Sequence, residues 1–372
     1  MGAVHVDQPA VTPRRLSLLA CAAVASYALV VPAAGFGRAA PAVSAASARG
    51  ASAHAPSVKP TAADWDATAQ RTVVGEGLMS EEADSGFLGA GPLSAQADSQ
   101  ALAALAAREG TAPVSVGADG PITVVRFDAL LVEQLGLGEV AEHVQQVAQA
   151  AGLQPPGYFG SEVVARYLEL RYEHPVGTQS LDLYPWSPIT RAEAAYSFAQ
   201  LLGSAPGSGQ WAIESARETL SAFSLPHYDA DQLEVLRIAV SKIGMPYVWG
   251  GTTDNTADGL EHGGYDCSGF AWRVYKVSGL PWGKRILGRT AAEQAGEIPK
   301  SARIHLEDVQ PGDLLFFGSA HFDSKATEAN VIHEGLALSS QWAIHSSGQG
   351  VYVLPLASGW LAQSFTWARR VL

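Results

Sequence analysis

Two apolar rhythms divide the chain. Through its middle, apolar residues recur at helical spacing; towards the end they come in short blocks separated by turn residues. In the middle region Phe127, Leu130, Leu131 and Leu135 share one face of a helix opened by "PITVVRFDALLVEQLGL", and Ala194, Phe198 and Leu201 share one face of another opened by "PITRAEAAYSFAQLLG". The two segments begin with the same Pro-Ile-Thr and continue with the same rhythm, which marks an internal repeat. Thr123 and Thr190 stand at N-cap positions, and Thr190 with Glu193 predicts a capping box. "SQALAALAAREG", ending at Gly110, and "GSEVVARYLELRY" read as further helices, so 73–205 is expected to be a small all-helical domain.

"GSAPGSGQ" at Gly203 to Gln210 is a linker signal, and a helix from about Trp211 to Phe223 completes a connecting region over 206–230. In 231–372 the segment "QLEVLRIAVSKIG" places Leu233, Leu236, Ala239, Val240 and Ile243 on one helical face and stops at Gly244 and Pro246. "DLLFF", "VIHEGLAL", "WAIHSS" and "VYVLPL" then predict strands. Helices followed by a run of strands predict an α+β domain with an antiparallel sheet.

The beginning of the chain has a different character. Arg14 and Arg15 precede the nearly uncharged run Leu16–Phe36, and Ala-x-Ala triplets follow at Ala46 to Ala48 and Ala53 to Ala55. Residues 1–55 are therefore expected to be a signal peptide or a membrane anchor, with the protein secreted or associated with the cell wall. The paired arginines hint at twin-arginine export. "LLAC" at Leu18 to Cys21 resembles a lipobox, but the apolar run continues past it. Residues 56–72, rich in Ala, Ser, Pro and Thr, are expected to form a disordered linker. The net charge of −12 over 372 residues is spread without a long run of one sign, which excludes a nucleic-acid footprint and names no partner.

Cysteine usage changes the picture. The chain has two cysteines, and if Cys21 leaves with a signal peptide, Cys267 has no partner for an internal disulfide. After "YDCSG" the positions Phe270, Ala271, Val274 and Tyr275 have helical spacing, so Cys267 is expected in the first turn of a helix. There the free amides favour an anion and lower a thiol pKa towards or below neutrality. A thiolate nucleophile also needs a base that can protonate the leaving group. His333 and His345 lie on consecutive strand candidates, and if opposing positions sum to an even number, both imidazoles project from one face.

"IGMPYVWGGTT", "YDCSGFAWRVYKVSGL", "LGRTAAEQA", "VQPGDLLFFG", "VIHEGLAL" and "AIHSSGQGVYV" resemble, in this order, the successive motifs of the NlpC/P60 cysteine peptidases. The resemblance implies a papain-like α+β fold with Cys267 as nucleophile, His333 as general base and His345 orienting it, and no cofactor or metal. It also implies Tyr247 near the oxyanion site, with Asp266, Ser268 and Trp249 in substrate binding. The implied substrate is a peptidoglycan stem peptide, cut between D-glutamate and the diamino acid. Two departures stand out: Glu334 occupies the position of valine in the usual "HVGIYLG", and "GSAHFDSKATEAN" is longer than the common form. That segment is a candidate flap in which His321 or Asp323 could compete for the third role.

"SPITRAEAAYSFAQLL" resembles S-layer homology repeats, helical modules that hold proteins to cell-wall polymers. It implies Arg191 and Arg126 as contacts to an anionic polymer. Rival expectations are a metal-dependent hydrolase using His262, Asp266, His333 and His345, a non-catalytic wall-binding protein, and an amidase or acyltransferase on the same scaffold. Membrane association is expected only if the N-terminal segment is retained.

Overall fold

The computed structural model describes residues 65–372 apart from 83–84, 118–119, 204–206, 258 and 358. The leader-like run and Cys21 lie outside the described residues. No described helix is long and apolar enough to cross a membrane.

The helical region begins earlier than its composition suggested. Helix α1 spans Ala67–Gly75, beginning inside the expected 56–72 linker, because Asp66 caps it by accepting the Ala69 N–H at 3.0 Å. Trp65 anchors its start among Tyr172, His174 and Tyr196, with ring centroids 4.8 to 5.6 Å away. There follow α2 (Ala95–Glu109), α3 (Val124–Gln134), α4 (Gly138–Ala150), α5 (Phe159–Tyr167), α6 (Arg191–Leu202) and α7 (Ser208–Ser221). Helix α2 ends on Gly110 at φ 68°, the left-handed stop that glycine adopts without a Cβ penalty. Helix α4 is not among the expected helices, although Val140, Val144 and Ala148 give it one buried face.

The internal repeat has three copies. Pro92-Leu93-Ser94 precedes α2 as Pro121-Ile122-Thr123 precedes α3 and Pro188-Ile189-Thr190 precedes α6. The three extended segments close a triangle: Leu93 donates its N–H to Ile189 (2.8 Å), Ile189 to Ile122 (2.8 Å) and Ile122 to Leu93 (3.2 Å). Their central side chains are buried. The expected capping box at Thr190 is half made. Its hydroxyl accepts the Glu193 N–H at 3.2 Å, but the Glu193 carboxylate turns to His174 Nε2 at 3.1 Å.

Helix α8 (Ala230–Ser241) opens the last region with a full capping box from Asp229 and Gln232. A two-stranded ribbon, β1 (Thr252–Thr253) with β2 (Gly264–Tyr265), leads into α9 (Cys267–Val277), and α10 (Ala291–Gly296) follows. The main sheet comprises β3 (Leu314–Gly318), β4 (Val331–Ala337), β5 (Trp342–Ser347), β6 (Gly350–Pro355) and β7 (Phe365–Arg369), with α11 (Gly359–Ser364) before the last strand. Its order is β6-β5-β4-β3-β7 and every pairing is antiparallel. Strand β7 escapes a periodicity reading because four of its five residues are buried, so no apolar alternation shows.

One apolar core runs from the helical region into the helix-covered face of the sheet, where Phe270, Ala271 and Val274 of α9 join Phe316, Leu336 and Trp367. Each large side chain withdrawn from water there contributes about 2–3 kcal/mol. A smaller core, with Leu315, Phe317, Ala343 and Leu361, lies on the other face. The two regions separated in the sequence are thus joined through shared packing.

Candidate active site

Cys267 is the first residue of α9 and a free, half-buried thiol. The N-cap before it is Asp266, whose Oδ1 accepts the Gly269 N–H at 2.6 Å. Asp266 is itself held by a two-pronged guanidinium: Arg289 donates Nη1 to Oδ1 at 2.9 Å and Nη2 to Oδ2 at 2.8 Å. Oδ2 also accepts the Gly250 N–H at 2.9 Å. Ser268 is buried beside this pair, its hydroxyl taking Arg289 Nη1 at 3.1 Å.

On the sheet, Gly335 pairs with His345, an even sum of positions, so His333 and His345 project from the same face as expected. His333 Nε2 lies 2.8 Å from His345 Nδ1. The two rings are nearly perpendicular and 5.0 Å apart between centroids. Trp360 packs edge-on against His333 at 5.5 Å, and Tyr352 covers His345 at 4.4 Å. Both imidazoles are buried, and burial lowers the His333 pKa to about 4 and that of His345 well below its usual value. His321 and Asp323, the alternative third groups, are exposed in a turn of the 318–330 segment. That segment is closed at its base by the Ser319 and Ala320 N–H groups on Asn330 O (both 3.0 Å), and Phe322 stacks on His305 at 3.8 Å.

The thiol does not have the low pKa expected of a cysteine at a helix start. Burial pushes it up to about 12, and the neighbouring Asp266 and Glu334 carboxyls add to the rise. The backbone N–H groups of Glu334 and Ser268 face the sulfur and pull the other way. The physical reason for the difference is first the burial of the sulfur, and second the Asp266 carboxylate at the positive end of α9, which leaves the helix less to offer a second anion. Tyr247, half-buried, has its phenol pKa raised by burial and by the charges Cys267 and Asp266 would carry, so its hydroxyl keeps its proton and can donate. Trp249 is 59 % exposed beside it in sequence.

Two residues of the site escaped the sequence reading. Arg289 immediately precedes the N-cap Thr290, and a cation at a helix start is unfavourable without a carboxylate partner, which was the available signal. Gln294, fully buried, ties α10 to the helix that begins at Cys267 by donating Nε2 to Ser268 O at 3.3 Å. Glu334 was noticed as a departure but not as a core residue: it is fully buried on the α9 side of β4, and neither carboxyl oxygen has a hydrogen-bond partner. His262, offered as a metal ligand with the site histidines, packs instead on Tyr184 of the helical region at 4.2 Å. Arg191 is buried, donating Nε to Phe87 O at 2.8 Å and Nη2 to Ser80 O at 2.5 Å, with its guanidinium 4.8 Å from the Phe87 ring. It lies within the fold and not on the surface where a polymer contact was expected. Arg126 is exposed on α3.

A cysteine at a helix start and a hydrogen-bonded histidine pair on a sheet are the residue types that thiol peptidases use. Residues 244–370 match the model of the NlpC/P60 family, which marks an NlpC/P60 family domain over that segment. The chain is 31% identical over 126 residues to the bifunctional muramidase/DL-endopeptidase CwlT of Bacillus subtilis, covering 34% of this chain and 32% of that protein. It is 29% identical over 126 residues to a gamma-D-glutamyl-L-lysine dipeptidyl-peptidase of the same organism, covering 33% of this chain and 35% of the relative. It thus spans about a third of the length of these curated relatives. A solved NlpC/P60 family protein from Bacillus cereus superposes over 40% of this chain and 42% of its own, at 26% identity and a TM-score of 0.30.

Proposed function

We propose that the protein is an exported cysteine endopeptidase that hydrolyses peptidoglycan stem peptides, at the bond between D-glutamate and the diamino acid. The observation that carries the reading is the 2.8 Å bond between His333 and His345. With Nε2 engaged there, the nitrogen of His333 left for a proton transfer is Nδ1. Relatives named as a DL-endopeptidase and a gamma-D-glutamyl-L-lysine dipeptidyl-peptidase support the substrate class.

The resting thiol and imidazole are both neutral in this reading. Moving a proton from a thiol of pKa about 12 to an imidazole of about 4 costs on the order of 10 kcal/mol, while attraction between unit charges about 4 Å apart returns about 4 kcal/mol. Proton transfer therefore accompanies attack. As Sγ bonds to the amide carbon, His333 Nδ1 takes the thiol proton, and the Tyr247 hydroxyl with the Cys267 N–H receives the charge developing on oxygen. The C–N bond then breaks, the amine leaves with that proton, and a thioester remains. Water gives a proton to His333 and its oxygen to the acyl carbon, which frees the carboxylic acid and the thiol.

As the family resemblance implies, we assign recognition of the substrate's amine end to Asp266 and Ser268, which Arg289 holds together, with Trp249 as an exposed surface for the stem. For the helical region we propose attachment to an anionic wall polymer, as its S-layer resemblance implies, with exposed Arg126 as contact. The test is digestion of purified peptidoglycan by wild type and Cys267→Ala, with masses of the released peptides. Masses also separate an endopeptidase from an amidase or an acyltransferase, and release by neither protein favours a purely wall-binding role.

A further inference from the structure

The helical region reaches into the loop that carries Tyr247 and binds it through the main chain. Glu173, just beyond α5, accepts the Tyr247 N–H on Oε2 at 3.2 Å, and Gln179 donates Nε2 to the Tyr247 carbonyl at 3.4 Å. Both backbone groups of this one residue are thus held by side chains from the helical region. Arg166 of α5 adds a third grip, donating Nη2 to Gly244 O at 3.3 Å.

Glu173 also touches the turn that follows His345. Its own N–H donates to Gly348 O at 3.1 Å. Gly350, at φ 76°, sits so close that a Cβ there would lie 2.8 Å from Glu173 Oε1 and 2.4 Å from Met245 O. The turn and the Tyr247 loop are further stitched by Gly244 N–H on Val351 O and Val351 N–H on Met245 O, both 2.8 Å. The Glu173 side chain is 8% exposed and has Arg166 Nη1 at 4.0 Å. One residue therefore joins the two segments bearing Tyr247 and His345, through its buried carboxyl on the Tyr247 N–H and its main-chain N–H on Gly348 O.

We propose that Glu173 is a positioning residue for the hydrolysis: by holding the Tyr247 amide while anchored to the Gly348 turn, it fixes the Tyr247 hydroxyl at the oxyanion position relative to the His333–His345 pair. This rests on the reading of the site as a peptidase. It makes the helical region a structural part of the active site in addition to any tethering role. The clamp acts on the Tyr247 main chain and the Gly348 turn, so it bears on the Cys267 thiol only through them.

The experiment measures hydrolysis of a synthetic stem tripeptide containing the D-glutamate–diamino acid bond, with full-length wild type, Glu173→Ala, Glu173→Gln, Tyr247→Phe, Glu173→Ala/Tyr247→Phe and Gln179→Leu. Glutamine keeps an oxygen that can accept the Tyr247 N–H. Expected for Glu173→Ala is a fall in kcat of about 10- to 100-fold with KM within about 3-fold, since the loss is confined to transition-state stabilisation. Glu173→Gln should stay within about 3-fold of wild type, and Glu173→Ala should cost nothing further once Tyr247 is phenylalanine. Iodoacetamide labelling of Cys267 should change less than about 2-fold in Glu173→Ala, Glu173→Gln and Gln179→Leu, which a general loss of structure would not allow.

Full activity in Glu173→Ala, or losses that multiply in the double variant, would overturn the proposal. If Glu173→Ala does not fold, Gln179→Leu carries the test, with a kcat loss of about 3- to 10-fold that vanishes on the Tyr247→Phe background; wild-type kcat in Gln179→Leu then overturns it. Failure of the peptidase reading shows separately: wild type and Cys267→Ala would then be equally inactive on the tripeptide.

Discussion

His333 and His345 face one another across adjacent strands, joined Nε2 to Nδ1 at 2.8 Å. For His333 to accept a proton on Nδ1, its Nε2 must carry hydrogen and donate to His345 Nδ1. His345 is then protonated on Nε2, a buried atom without a hydrogen-bond partner. The second histidine thus selects the tautomer of the first.

Replacing His345 removes that selection without touching the thiol. His345→Ala is expected to lower kcat by about 10- to 100-fold, and His345→Asn, which retains an acceptor oxygen, by less. Steady-state kinetics on a stem peptide check the order. Equal losses in both variants would assign His345 a packing role under Tyr352.

The pKa shifts make a prediction opposite to that for a thiolate–imidazolium pair. Alkylation of Cys267 by iodoacetamide should be slow at pH 7 and still rising above pH 10, because burial pushes the thiol up to about 12. A rate that saturates near pH 6 would show an anionic sulfur in the resting protein. Stability has its own pH signature. His333 is neutral when folded down to about pH 4 but titrates near 6.5 when unfolded, so its contribution is lost as pH falls between those values, by at most about 3 kcal/mol. Thermal melts from pH 7 to pH 4 check this against His333→Gln, which lacks the titration.

Glu334 acts in the opposite sense. Burial raises its carboxyl pKa well above the usual range, although Arg369 pulls it back. A raised acid favours the folded state at low pH, and that contribution disappears as pH rises through the folded pKa. Glu334→Gln, which stays neutral, should therefore match wild type near pH 4 and melt higher at pH 9, by several degrees. Equal melting temperatures at both pH values would place an unseen partner on the carboxyl.

Much of this architecture was legible in the sequence, and its gaps have physical causes. Helices α3, α6, α8 and α9 announced themselves through one-sided apolar spacing, and β3 to β6 as blocks bounded by turn residues. The two-strand parity argument for His333 and His345 held because a half-buried antiparallel pair has little freedom of register. Cys267 at the start of α9 was readable from Asp266 and the spacing of Phe270, Ala271 and Val274. The thiol's electrostatics were not, because they depend on burial and on the long-range partner Arg289, which lies 22 residues from Cys267 in sequence yet grips the cap. The third repeat at Pro92-Leu93-Ser94 was hidden because Leu-Ser replaces the Ile-Thr that the other two copies share, and Arg191 looked like a surface residue because periodicity cannot show the carbonyls of Ser80 and Phe87 that fold over it.

Arg289 should matter for stability as well as for the site. Arg289→Ala leaves the Asp266 carboxylate without its two-pronged partner; because the guanidinium is about one-third exposed, a loss of about 1–3 kcal/mol is expected. Arg289→Lys should recover only part of it, since an ammonium cannot bridge both oxygens. Urea unfolding of the three proteins gives the order.

The central claim is that the Cys267 sulfur becomes acylated by a stem peptide. The most direct measurement is intact-protein mass spectrometry together with mass analysis of products after incubation with purified peptidoglycan, for wild type and Cys267→Ala. The account predicts peptides ending at D-glutamate and beginning at the diamino acid from wild type alone, and no release by Cys267→Ala. Equal release of the same peptides by both proteins would contradict it.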